Sequence, residues 1–342
     1  MKKSVLIYVR NNEALDNYIR MLRNGQFDDE IPYSKEVERM IKEFKENRYE
    51  VFLGTMFNFD TEHGMFNNVY QISSDERRNM TIHDINNEIS IMIIRNLGSV
   101  EANFDMIQKC LKYLLENYKG KTINDINSML KGMTKNYLVE IDPDKLRKIG
   151  METIPSNIFP NTVSFSEICE NYPLDRENYL IKPVTGELSN SLKCLADIDE
   201  QFLRYKENKV GGWVIQPIQK DIWNGEFQIS FLNGQPVYAQ EKTYPKDGNV
   251  PNQKERTILK FHPTEHEISI MQNVIKYFSE LYNLNIVLCR IDFMKDSNGV
   301  PKLLEFEMVN PGFFIGYMKE NDIDIKNITE AIRKYCDELT EQ

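Results

Sequence analysis

The 342-residue chain has no long basic run, and its formal net charge is −10. Non-specific nucleic-acid binding needs a basic footprint, so that class is disfavoured. No apolar run approaches the ~18 residues of a membrane span. Ser4–Val9 already has a strand-like pattern, with no cleavage-site pattern around it, so no signal peptide and no membrane partner are expected and the expected location is the cytoplasm. The five cysteines, Cys110, Cys169, Cys194, Cys289 and Cys336, lack C-x-x-C spacing and are expected to be reduced, packed thiols. Cys289 sits beside Arg290, but packing is the expected role for so readily buried a residue. Of the four histidines only His262 and His266 are close in sequence, and no further zinc ligands accompany them. There is no G-x-G-x-x-G, hence no expected classical dinucleotide site. No Ser-His-Asp or Cys-His constellation is evident. Internal repeats, low-complexity tracts and Pro/Gly/Ser-rich linkers are also missing.

What is present is an ordinary globular composition, 41% hydrophobic and 27% charged, in a chain long enough for two or three domains. Residues 1 to about 120 alternate strands and helices. Strands are expected at Ser4–Val9, Tyr49–Met56 and Ile89–Ile94, with a short edge strand at Tyr70–Ile72. Helices are expected at Asn12–Arg23, Lys35–Asn47 and Phe104–Tyr118. That order predicts a doubly wound parallel sheet. Arg10, Asn11, Arg95 and Asn96 follow such strands and are candidate anchors for a carboxylate or phosphate, with a plain surface role as the alternative. Further on, an amphipathic helix is expected at Glu267–Tyr282 and a terminal helix at Ile323–Leu339.

The richest stretch is Arg290–Phe314, R-I-D-F-M-K-D-S-N-G-V-P-K-L-L-E-F-E-M-V-N-P-G-F-F. Ile286–Met294 and Lys302–Met308 have strand character, and Asp296-Ser297-Asn298-Gly299 is a turn signal. At a period of two, Arg290 and Asp292 share one face of the first strand, and Glu305 and Glu307 share one face of the second. Three carboxylates on one surface are costly unless cations neutralise them, and Mg²⁺ with nucleotide phosphates is the usual answer. A solvated hairpin face is the alternative for any isolated carboxylate pair.

This stretch resembles the metal-binding hairpin of the ATP-grasp ligases, the superfamily of D-alanine–D-alanine ligase and glutathione synthetase. The resemblance implies that Asp292 and Glu305 are metal ligands and that Arg290 contacts phosphate and the tetrahedral intermediate. Glu307 stands where many members have Asn. It is preferred over Asn310 as the third ligand because its strand parity matches Glu305. Other segments are similar in turn. I-N-S-M-L-K-G-M-T-K-N-Y-L makes Lys135 the first nucleotide-binding lysine, with Lys145 as the rival. Y-L-I-K-P ends a strand in Lys182, expected at the α- and β-phosphates. The following loop, 184–191, has one glycine where the family has several; either activity is lost, or Ser189, Asn190 and Ser191 supply donors that backbone N–H groups give elsewhere. In G-G-W-V-I-Q-P-I, residues Gln216, Pro217 and Ile218 look like the hinge that binds adenine through its backbone. The string from Gly225 to Pro245, with its Asn233-Gly234 hairpin turn, makes Glu226 the ribose- or adenine-side acid and Lys242 a phosphate- or substrate-side lysine.

The resemblance covers residues ~120–315 well and the N-terminal part in outline. It implies an α/β and α+β architecture, an ATP-grasp fold behind an N-terminal Rossmann-like α/β domain. The expected division is 1–120, 121–210 as the lid region and 211–342 with the metal site. Within the superfamily the chain is most similar to the glutathione synthetase group. It also resembles the cycloserine-pathway cyclase in its E-x-E ending and Q-P hinge. The implied function is an ATP-dependent carboxylate–amine or carboxylate–thiol ligase that works through an acyl-phosphate. The implied substrate is an amino acid, a peptide or a peptide-like metabolite. ATP and two Mg²⁺, replaceable by Mn²⁺, are the implied cofactors, and a homodimer is the default assembly. The alternatives are a nucleotide-binding module without ligase activity and a kinase-like member that stops at phosphate transfer.

Overall fold

The computed structural model describes residues 3–25, 34–94, 97–185, 192–206, 211–246, 250–251, 255–312 and 322–341. Arg95, Asn96, Ser189 with its neighbours in the 186–191 stretch, Lys254 and Phe313-Phe314 lie outside them.

The first unit opens with β1 (Ser4–Tyr8), α1 (Asn12–Asn24), α2 (Ser34–Glu46) and β2 (Glu50–Gly54). The sequence S-V-L-I-Y is buried along its whole length, as a parallel strand covered on both faces must be. Asn11 caps α1 by accepting from the Ala14 N–H at 2.8 Å, and Gly25 closes it at φ +67°. Three strands follow, β3 (Phe59–Asp60), β4 (Met65–Gln71) and β5 (Glu76–Thr81), then α3 (Ile82–Glu88), β6 (Ile91–Ile93), α4 (Val100–Asn117) and β7 (Lys121–Ile123). The sheet order is β3-β4-β2-β1-β6-β7, with β5 on β4.

Only β2-β1-β6-β7 is parallel; β3, β4 and β5 join antiparallel. The expectation of a wholly parallel sheet with a short edge strand at Tyr70–Ile72 is corrected here. E-R-R-N-M-T buries only Met80, so β5 carries no apolar alternation by which to recognise it.

The chain continues through α5 (Ile126–Gly132), α6 (Tyr137–Glu140), α7 (Pro143–Ile149), β8 (Glu152–Thr153), β9 (Asn157–Phe159), α8 (Phe165–Asn171), β10 (Tyr179–Pro183), β11 (Lys193–Cys194), α9 (Glu200–Lys206) and β12 (Trp213–Pro217). It ends with β13 (Glu226–Leu232), β14 (Gln235–Thr243), β15 (Thr257–Lys260), α10 (Glu265–Tyr282), β16 (Leu288–Lys295), β17 (Pro301–Glu307) and α11 (Asp322–Glu341). The second sheet is small and antiparallel, β11-β10-β12-β9, and the third runs β15-β14-β13-β16-β17-β8. β15 forms an edge strand of the third sheet. Asn233 and Gly234 both take positive φ, +47° and +72°, which is the turn chemistry of a two-residue hairpin between β13 and β14. A capping box of Thr264 and Glu267 starts α10.

The third sheet is two-faced. Phe227, Ile229 and Phe231, Ile291 and Phe293, and Phe306 pack on α10 in one core cluster with Val274 and Phe278. Their neighbours in sequence, Glu226, Gln228, Arg290, Asp292, Glu305 and Glu307, therefore stand on the opposite face. The terminal helix α11 instead joins the N-terminal core, where Ile325, Ile328 and Ile332 pack with residues of α1, α2 and β1.

Candidate active site

The polar face is built by cross-strand register. Arg290 pairs with Glu307 and Asp292 with Glu305 across β16 and β17, as the two-residue period requires. On the other side Gln228 of β13 stands opposite Asp292, and Gln240 and Lys242 of β14 stand opposite Gln228 and Glu226. The Arg290 guanidinium grips Asp292 with two bonds, Nε to Oδ1 at 2.6 Å and Nη2 to Oδ2 at 2.8 Å, and donates a third to the Gly312 carbonyl at 2.9 Å. Both side chains are buried. Burial pushes the Asp292 carboxyl up to about 6, and the Arg290 guanidinium pulls the other way.

Glu226 is buried, not a turn-exposed acid. Its Oε1 accepts from Lys242 Nζ at 3.0 Å and from Gln228 Nε2 at 2.7 Å, and its Oε2 accepts from the Tyr244 hydroxyl. Burial works to raise this carboxyl, but Lys242 and Tyr244 outweigh it and hold the pKa below the usual range.

Two lysines face the acids from other elements. Lys135 lies between α5 and α6, is 8% exposed, and pairs with Glu305 at 2.8 Å. Its rival Lys145 is exposed on α7. The Lys135 backbone N–H bonds to the Val184 carbonyl at 2.9 Å, and the Val184 N–H bonds to the Gly212 carbonyl at 3.0 Å, so Lys135 is tied to the end of β10. Lys182 is on β10 itself. Among the described residues its ammonium has no hydrogen-bond or ion-pair partner. Burial, helped by the nearby Lys135, brings its ammonium down to about 8, although Glu305, Glu226 and Asp292 pull it up. The close backbone packing here needs Gly212. It sits at φ +147°, and a Cβ would lie 2.7 Å from the Phe159 carbonyl oxygen. Gly212→Ala is expected to cost about 1–3 kcal/mol, read as a lower urea midpoint at unchanged slope.

The Ile218 N–H is committed to the Asn178 carbonyl at 2.8 Å, and Pro217 has no N–H to give. One residue on, the Gln219 N–H has no acceptor among the described residues. Gln216 turns its amide to Ser156 Oγ at 2.8 Å.

Glu307 also has a second task. Its Oε1 accepts from the backbone N–H groups of Val309 and Asn310, at 2.8 and 3.0 Å. Asn310 in turn accepts from the Leu97 N–H at 3.0 Å and donates to the Gly98 carbonyl at 2.9 Å, which ties the hairpin to the first unit.

Among the described residues no cluster of three His, Cys, Asp or Glu side chains is arranged to hold a metal by itself. Two of the three acids are instead neutralised locally, Asp292 by Arg290 and Glu305 by Lys135. The donors are hard oxygens only, which suits Mg²⁺, an ion usually held by one or two carboxylates plus substrate phosphates. The residues therefore fit a metal that arrives with a polyphosphate. They do not form a preassembled three-acid cage.

Sequence reasoning missed Gln228, Gln240 and Tyr244. The amides share the two-residue period of Glu226 and Lys242, which could have marked them.

No family model and no curated protein matches the chain. Solved structures do. A D-cycloserine synthetase superposes with a TM-score of 0.64 at 13% identity, over 97% of this chain and 100% of its own. The D-alanine–D-alanine ligase of Coxiella burnetii gives 0.60 at 13%, over 100% and 96%. A RiPP-associated ATP-grasp ligase of Chryseobacterium gregarium, in complex with ADP and a leader and core peptide, gives 0.58 at 11%, over 97% of each. At such identities the fold is what is shared, and the chain has the ATP-grasp fold. No described helix is long and apolar enough to cross a membrane.

Proposed function

We propose that the protein is an ATP-dependent ligase that joins a carboxylate to an amine or thiol through an acyl-phosphate. The observation that carries this reading is Lys182. It is a lysine without a counter-ion among the described residues, set against a sheet face of carboxylates. Such a face is completed by a bound polyphosphate with its metal.

In this reading Lys135 and Lys182 take the phosphates. Asp292 and Glu305 hold the metal, with Glu307 beside them. The segment from Gln216 to Gln219 meets the adenine, Glu226 with Lys242 lies on the ribose and substrate side, and Ser189 belongs to the phosphate loop. A bound divalent ion would neutralise phosphate charge. A substrate carboxylate oxygen attacks the γ-phosphorus and ADP leaves. An amine or thiol then attacks the acyl carbon, losing its proton, and phosphate departs. Arg290, fixed by Asp292 and the Gly312 carbonyl, stabilises the oxyanion that forms on the acyl carbon. Amino acids, peptides and peptide-like metabolites are the substrate class. The peptide and small-molecule ligases that share the fold support that range.

Because Lys135 already neutralises Glu305, metal and nucleotide must enter together. Nucleotide phosphate takes the lysine and frees the carboxylate. Calorimetry is expected to show Mg²⁺ alone binding weakly and Mg²⁺ with ATP binding at least about ten-fold tighter than ATP in EDTA, a coupling of about 1.4 kcal/mol. Titration of ADP release with pooled amino acids and dipeptides tests the ligase step. Acceptor-dependent release carrying a new amide supports it. Release with a phosphorylated product and no amide favours a kinase-like reaction, and absence of nucleotide binding overturns the reading.

A further inference from the structure

Between the metal-side acid Asp292 and the nucleotide-side acid Glu226 stands a neutral amide. Gln228 Nε2 donates to Asp292 Oδ2 at 2.6 Å and to Glu226 Oε1 at 2.7 Å. Both N–H bonds of one amide nitrogen are thus spent on two carboxylates. Gln228 Oε1 accepts from Gln240 Nε2 at 2.5 Å. Both glutamines are 1% exposed.

The polarity of this chain is forced. Turning the Gln228 amide over would aim its oxygen at two carboxylates. Its oxygen must therefore face β14, and Gln240 must present nitrogen to it. The consequence is visible, since Gln240 Oε1 is buried without a partner. A buried acceptor left unsatisfied is a cost that an apolar pair at these two positions would avoid. What the cost secures is the orientation of Asp292. Its Oδ2 receives two donors, Arg290 Nη2 and Gln228 Nε2, while Oδ1 receives Arg290 Nε alone. One specified oxygen is left with acceptor capacity.

We infer that Gln228, held by Gln240, is a positioning residue that orients Asp292 toward the metal–nucleotide complex; this rests on the ligase reading above. Gln228 touches neither phosphate nor metal in this role. It acts through Asp292, as outer-shell partners of metal ligands do.

The test compares ATP binding by calorimetry in excess Mn²⁺ and in EDTA for the wild type, Gln228→Leu and Gln240→Leu. Wild type is expected to prefer the Mn²⁺ condition at least about ten-fold. Absence of that preference overturns the metal–nucleotide reading itself. Given the preference, Gln228→Leu is expected to lose about 10–100-fold of affinity in Mn²⁺ and much less in EDTA, where only its bond to Glu226 counts. A residue that only supports the fold would lower the melting temperature and leave the ratio of the two affinities unchanged, which overturns the inference. If Gln228→Leu does not fold, Gln240→Leu decides. A smaller loss confined to the Mn²⁺ titration supports the relay, and an unchanged ratio refutes it.

Discussion

Lys182→Met is expected to melt no lower than the parent and to bind Mg²⁺-ATP at least about a hundred-fold more weakly, a loss of about 2.7 kcal/mol. Both halves follow from one fact. The ammonium is held at the end of β10 with no acceptor among the described residues, and burial has already lowered its pKa to about 8. Lys182 is half-buried, so removing its poorly compensated charge relieves part of its desolvation and stability is kept. A charge-assisted phosphate contact is lost at the same time. The sign of the pH dependence is fixed by the same depression. The folded pKa lies below the ordinary lysine value of 10.5, so the unfolded chain binds more protons, and this group adds stability as pH rises from about 8 toward 10.5. Nucleotide binding runs the other way. Phosphate favours the charged lysine, so binding takes up a proton at pH 8.5, and affinity falls as pH rises above 8. Calorimetry at pH 8.5 in two buffers of different ionisation enthalpy reads that uptake. It is expected to vanish in Lys182→Met, and persistence of the full uptake there would place the titrating group elsewhere.

The hairpin faces were legible because strand parity is insensitive to tertiary detail. Asn233-Gly234 and Asp296–Gly299 fix the two turns, and counting by twos then puts Arg290, Asp292, Glu305 and Glu307 on one surface. Burial of Lys135 was not legible. Its environment comes from Val184 and Glu305, which are 49 and 170 residues away in sequence, and local pattern carries no trace of such contacts. Of the antiparallel strands of the first sheet only the end of β4 was marked, at Tyr70–Ile72; β5 was not, because a strand that buries only Met80 shows no apolar alternation. Gln228 and Gln240 escaped because a neutral amide signals nothing until its partners are known. The commitment of the Ile218 N–H to Asn178 was hidden for a related reason, since every residue carries a backbone donor and only the fold decides which are spent.

Asn124→Ala is expected to be the reverse of Lys182→Met, with a large loss of stability from a residue that has no part in the chemistry. Asn124 follows β7, is fully buried, and uses one amide to clasp the two strands of the β16–β17 hairpin. Its Nδ2 donates to the Leu288 carbonyl at 2.5 Å and the Met308 carbonyl at 2.6 Å, and its Oδ1 accepts from the Leu288 N–H at 2.9 Å. Alanine leaves two carbonyls and one N–H at the base of β16 and β17 without partners. At about 1–3 kcal/mol for each of the three buried groups, the loss is expected to be about 3 kcal/mol or more, a large part of a typical domain's 5–15 kcal/mol. Asn124→Asp is expected to be no milder, because a carboxylate has no hydrogen to offer either carbonyl. Urea unfolding measures both variants, and a change under about 1 kcal/mol for Asn124→Ala would mean that water or a shifted backbone satisfies the hairpin base. Below its lowered midpoint, Asn124→Ala is expected to bind Mg²⁺-ATP within about three-fold of the parent, since Lys135, Lys182, Asp292 and Glu305 are all retained. The two variants thus separate the residues that hold the site from those that work in it. One should keep binding and lose stability, and the other should keep stability and lose binding.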